Sequence, residues 1–164
     1  MKEIRSILTP IDFSENASII ADAAIYTAGK FGASLHFVFV VQEFEDYSGF
    51  MAPPVNMLNL REEILESARL QMETFLNENE EKCKKAGIPG VESKVLIGDI
   101  AEEILDYQQS NNLDLIIMGT HGYKGFERII FGSIADKVVK NACCPVMTIN
   151  PYQEICEGGE EDRG

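Results

Sequence analysis

The sequence predicts an α/β domain in which a parallel sheet is covered by helices on both faces. Three observations predict it. Short apolar runs alternate with stretches of helical periodicity along the chain. The runs are continuously apolar rather than alternating, as strands buried on both faces require. The chain has 164 residues, 45% of them hydrophobic, enough for one core and one domain.

Each element follows in order. Residues 4–9 form an apolar run closed by Pro10, and Asp12 and Ser14 stand where they can cap a helix. In that helix Ala17, Ile20, Ala24, Ala28 and Phe31 recur every three or four residues, and Gly32 ends it. Residues 35–41 (LHFVFVV) are the second strand, rich in β-branched and aromatic side chains. Residues 43–60 read as an irregular connection holding Met51, Pro53, Pro54 and Met57, of a length that compact domains reserve for functional segments. A charged amphipathic helix over 61–85 sets Ile64, Ala68, Met72 and Phe75 on one face, and Gly87, Pro89 and Gly90 stop it. Residues 91–97 give a third strand, and Gly98-Asp99 opens a helix through Ile104 and Leu105. A fourth strand over 113–118 (LDLIIM) runs into a glycine-bearing loop. A helix over 133–141 and a fifth strand over 145–149 complete the domain, assigned to 1–150. Residues 151–164, with five acids against Arg163, read as a disordered acidic tail.

Charge narrows the function. Acids outnumber bases 27 to 14, a formal net charge of −13. That excludes a general nucleic-acid binder, whose affinity rests on Lys and Arg neutralising phosphates. It also argues against an anionic membrane surface. No apolar run approaches the roughly 20 residues of a membrane-spanning helix, and MKEIRSILTP lacks the pattern of a signal peptide. The chain reads as cytoplasmic. Its four cysteines, Cys83, Cys143, Cys144 and Cys156, show no zinc spacing and behave as small hydrophobes.

Ligands of open α/β sheets sit beyond the carboxyl ends of the strands, where strand order reverses. The loop after strand four is the most informative such place. Gly119, Gly122 and Gly125 come within seven residues, and Gly132-Ser133 closes the loop at a helix start. Glycines permit positive φ and close backbone approach, and a helix N-terminus offers N–H groups to phosphate. Lys124, Arg128, Lys137 and Lys140 outnumber Glu127 and Asp136 there, a local surplus of bases in an acidic chain. Neither G-x-x-x-x-G-K-[ST] nor G-x-G-x-x-G is present. Glycines that only turn a loop and cap a helix fit the bare pattern equally well. His121 reads as a solvated loop histidine and His36 as structural.

Gly119-Thr-His-Gly122, nine residues and Gly132-Ser133 resemble the nucleotide loop of the universal stress protein family. The resemblance covers about residues 1–150, through ILTPIDFSENA, LHFVFVV, VLIGDIAEEIL, LDLIIMGTHG and GSIADKVVKNACCPVMTI. It implies a three-layer α/β/α sandwich with a five-stranded parallel sheet, Rossmann-like and adenine nucleotide alpha hydrolase-like. It also implies ATP, with Mg or Mn, because the glycine pattern is similar to that of the binding members. Carried over by position, Asp12 takes the ribose or adenine region, with Thr9 and Pro10 on the pocket wall. Val40 is the apolar contact to adenine, and Met118 and Gly119 form the floor. Backbone N–H groups of Gly122, Gly132 and Ser133, with the Ser133 hydroxyl, hold the phosphates. Gly98 and Asp99 lie beside the cleft, Asp12 doubles as a helix cap, and Cys143 and Cys144 make a buried turn before Pro145.

The expected function is an ATP-dependent switch or stress-adaptation factor, homodimeric through the last strand. Dedicated phosphoryl transfer lacks a Walker lysine and paired carboxylates, so a slow ATPase is the most that enzyme chemistry would reach. A phosphorylated receiver domain is excluded, because Asp12 stands without a second acid and Asn150-Pro151 replace the required lysine. A dimeric interaction module that binds no nucleotide is the remaining alternative.

Overall fold

A computed structural model describes residues 3–42, 55–120 and 132–151, with only the backbone for 55–58. The described elements run β1 (Ser6–Pro10), α1 (Ala17–Phe31), β2 (Ser34–Gln42), α2 (Val55–Ala86), β3 (Val91–Gly98), α3 (Ile100–Ser110), β4 (Leu115–Gly119), α4 (Ser133–Asn141) and β5 (Val146–Ile149). The strands form one five-stranded sheet of order β3-β2-β1-β4-β5, and every pairing is parallel. The α/β sandwich is therefore as the sequence predicts. The acidic tail beyond residue 151 lies outside the described residues.

Alternation along the strands divides the core in two. Ile7, Leu35, Phe37, Leu115 and Ile117 face α1 and α2, meeting Ala21, Ala24, Ala28, Met72 and Phe75. Leu8, Val38, Val40, Ile116 and Met118 face α3 and α4, meeting Ala101, Ile104, Ala135 and Val138. The two helical layers on opposite faces are the reason the central strands carry no polar alternation.

The second helix departs most from the sequence reading. It begins at Val55, so residues 55–60 of the expected irregular connection are helical, whereas 43–54 lie outside the described residues. A 32-residue helix is about 48 Å long, against about 30 Å for the nine residues of β2. Since α2 ends beside the amino end of β3, its first turns overrun the carboxyl edge of the sheet. Core burial starts at Ala68 and continues through Met72, Phe75 and Cys83, whereas Ile64, expected on the inner face, is 45% exposed. Phe31, expected on the buried face of α1, is also exposed, one residue before the left-handed Gly32 that ends the helix.

Candidate functional site

Strand order reverses between β1 and β4, so the crevice at a topological switch point opens over their carboxyl ends. Pro10 pairs with Val38, and Val40 lies two residues farther along β2. Leu8 pairs with Ile116, and the same register continued two residues sets Pro10 beside Met118. Pro10, Val40, Met118 and Gly119 thus converge at one edge. Val40 and Met118 point toward the α3/α4 layer and are 7% and 5% exposed.

Thr9 has the opposite parity. Its side chain faces the α1/α2 layer, is fully buried, and its Oγ1 has no hydrogen-bond partner among the described residues. Of the two expected pocket-wall residues, only Pro10 lies on the same sheet face as Val40 and Met118.

Beyond β1 the Ile11 N–H donates to the Val38 carbonyl at 2.9 Å, extending the ladder by one bond. The chain then turns sharply. Asp12 Oδ1 accepts the Ser14 N–H at 3.0 Å, and Ser14 Oγ accepts the Asn16 N–H at 3.3 Å. Asp12 therefore closes a local Asx turn and does not cap α1. The N-cap is Asn16, which makes no side-chain capping bond, and the first turn is held by the Ala17 N–H on the Ser14 carbonyl at 3.0 Å. Asp12 is half-buried, and no described residue donates to its Oδ2. Phe13 sits at φ 55, a left-handed conformation that costs a bulky residue roughly 1–2 kcal/mol. Its ring packs 4.6 Å from Phe39 and 6.3 Å from Phe75 between centroids. Nothing in the periodicity of the sequence marks Phe13; only its place between Asp12 and Ser14 does.

On the other side of the crevice, the ends of the glycine loop are pinned together. The Gly132 N–H donates to the Thr120 carbonyl at 2.8 Å, and the Thr120 N–H donates to the Ile149 carbonyl at 2.9 Å. The Gly132 N–H, expected on a phosphate, is therefore already used in closing the loop. Gly132 has φ −68, an ordinary extended N-cap, and its carbonyl accepts the Asp136 N–H at 3.0 Å. Ser133, the first helical residue, is exposed, and its N–H has no acceptor among the described residues. Gly122, His121, Lys124, Gly125 and Arg128 lie outside the described residues.

The surplus of bases is partly neutralised where it is described. Lys140 bonds Asp136 at 2.8 Å, one turn apart on α4. Lys137 Nζ lies 3.7 Å from Asp99 Oδ2 and links α4 to the start of α3. Asp99 is the N-cap of α3, and its Oδ1 accepts the N–H groups of Ala101 and Glu102 at 3.1 Å each. Just before it, Gly98 has φ 149, and a Cβ there would meet Glu103 Oε1 at 2.6 Å. Burial, followed by the charges of Asp106 and Glu102, pushes the Glu103 carboxyl above its ordinary range.

His36 is buried, its Nδ1 3.3 Å from the Tyr107 hydroxyl and 3.8 Å from Glu92. Burial and then the Glu92 charge raise the Tyr107 phenol. Cys143 is exposed and receives the Gln109 Nε2 donor at 3.0 Å, so the turn before Pro145 is only partly buried, through Cys144. A groove of about 470 Å³ between α1 and α2 has Phe13, Leu70, Phe75 and Lys82 among its walls. Its walls come from the loop after β1 and from α1 and α2, the helices on the sheet face opposite Val40 and Met118.

The sequence profile of the universal stress protein family matches residues 3–150. The chain belongs to the universal stress protein family. The universal stress protein MJ0531 of Methanocaldococcus jannaschii is 32% identical over 145 residues, 88% of this chain and 81% of its own. Among solved structures, UspA of Lactobacillus plantarum superposes with a TM-score of 0.77 at 23% identity, over 92% of this chain and 100% of its own. A universal stress protein solved in complex with cAMP has a TM-score of 0.64 at 15% identity, over 92% of this chain and 99% of its own. A universal stress protein of Archaeoglobus fulgidus in complex with dAMP has a TM-score of 0.59 at 19% identity, over 91% and 100%. These structures share the fold of this chain. No described helix is long and apolar enough to cross a membrane.

Proposed function

We propose that this universal stress protein binds ATP in the crevice between β1 and β4 and that occupancy acts as a switch in stress adaptation. The observation that carries the reading is convergence at that crevice. The Asp12 loop, the apolar Val40 and Met118, and the open N-terminus of α4 at Ser133 meet there around the sheet's switch point. Asp12 would take the sugar hydroxyls through Oδ2, the oxygen that the Ser14 N–H leaves open. Val40, Met118 and Pro10 would face the base. The N–H and hydroxyl of Ser133 would receive phosphate, with Gly119 and Gly122 letting the backbone come close. Mg²⁺ or Mn²⁺ would enter on the triphosphate, since no cluster of three His, Cys, Asp or Glu stands ready for a cation among the described residues. The complexes with cAMP and dAMP are support at the level of the fold: this architecture houses adenine nucleotides in those proteins.

The engaged Gly132 N–H and the paired Lys137 and Lys140 favour a second reading, a dimeric interaction module without nucleotide. Calorimetric titration of MgATP into nucleotide-stripped protein, with AMP and GTP as controls, separates the two. Micromolar ATP binding that weakens for AMP supports the switch, and no binding of any nucleotide leaves the interaction module.

A further inference from the structure

We propose that Phe13 is a positioning residue for Asp12, and that its ring ties the nucleotide end of the crevice to helix α2. The inference rests on the nucleotide reading above and extends it to a residue whose side chain faces away from the cleft.

The turn after β1 needs a left-handed residue at position 13, a conformation that glycine adopts freely and phenylalanine does not. The ring offsets that strain by packing on Phe39 of β2 at 4.6 Å and on Phe75 of α2 at 6.3 Å, edge to face. Phe75 is in turn seated edge-on against Phe37, 5.1 Å away, a ring with no solvent exposure. The backbone of residue 13 is thus fixed from the α1/α2 side of the sheet. Its two neighbours make the turn that presents Asp12, through the Ser14 N–H on Oδ1 at 3.0 Å. One carboxylate oxygen is locked and the other faces no described donor. Pre-organisation of this kind lowers the ordering cost that a ligand would otherwise meet. Because Phe13 also walls the groove between α1 and α2, a shift of α2 at Phe75 would reach Asp12 through a single ring.

The test compares the full chain with Phe13→Ala and Phe13→Gly, titrating MgATP and AMP. Phe13→Ala keeps the strained backbone and removes its anchor, so affinity for both nucleotides should fall about tenfold by the same factor. Phe13→Gly makes the turn without strain but leaves it unpinned, so its affinity should fall between the two. Wild-type affinity in either variant overturns the role of the ring. In an Asp12→Ala background Phe13→Ala should cost nothing further, whereas a second loss of similar size marks a general structural defect and overturns positioning. A ligand-free readout stands beside these. Exchange of the Ser14 amide should quicken about tenfold in Phe13→Ala, the signature of a more frequently opened turn, and unchanged exchange overturns the proposal. If the unaltered chain binds no nucleotide while the Ser14 amide responds as expected, the nucleotide reading fails and the ring's control of the turn stands.

Discussion

Thr9 places a hydroxyl where no described residue bonds it. The side chain is sealed in the α1/α2 layer, and Oγ1 has lost water without gaining a partner among the described residues. An unmet buried hydroxyl costs roughly 1–3 kcal/mol, and removing it without changing shape recovers part of that. Thr9→Val should therefore raise unfolding stability by about 1 kcal/mol, read as a higher urea midpoint at unchanged slope. The same variant settles what the position does in the crevice. Unaltered ATP affinity agrees with the side chain's pointing away, and a marked loss would show that the hydroxyl turns toward a ligand. Position in the sequence put Thr9 beside Pro10 on a pocket wall; the two-residue period of a strand sends their side chains to opposite faces. Strand alternation is legible in principle, but which parity faces the cleft is decided by the helices that cover each face.

At the scale of elements, what was legible followed from periodicity, and what was not followed from length and packing partners. The strands and the α3 and α4 spans are close to their expected bounds, because apolar runs and breakers such as Gly87, Gly98 and Pro145 act locally. The start of α2 and the exposure of Ile64 were hidden, since a helical pattern continues past the point where the sheet beneath it stops. Asp12 and Ser14 have the chemistry of caps, yet their bonds close local turns on the Ser14 and Asn16 N–H groups, ahead of the helix that Asn16 begins. Asp99 is the acid that does cap: Oδ1 takes two N–H groups of α3, and Oδ2 reaches Lys137. Those two interactions differ in weight. Loss of an N-cap typically costs about 1 kcal/mol, whereas an exposed ion pair contributes between roughly zero and 1. Asp99→Ala should then lower stability by about 1 kcal/mol and Lys137→Ala by only a few tenths, both read from chemical denaturation. Equal losses would mean that the link between α3 and α4, and not the cap, holds this corner together.

At the scale of the whole molecule, the described sheet ends in two edge strands, β3 and β5, with different surfaces. The β3 edge carries exposed charges, Glu92 and Lys94, of the kind that discourages strand addition. The β5 edge, VMTI, carries none; Met147 is 39% exposed, and Val139 on the adjoining α4 is 43% exposed. A chain of net charge −13 repels its own copies in general, so association requires a face without acids. Among the described residues, the β5 strand itself carries no acid. Two copies meeting there across a two-fold axis would pair β5 with β5 and cover Met147 from both sides. The expected outcome is a dimer in sedimentation equilibrium that Met147→Glu converts to monomer, because the substitution sets two like charges opposite each other at the centre of the contact. Lys94→Glu on the other edge should leave the dimer intact. A monomer from the unaltered chain at high micromolar concentration would overturn the β5 contact. Dissociation by Lys94→Glu alone would move the contact from β5 to β3.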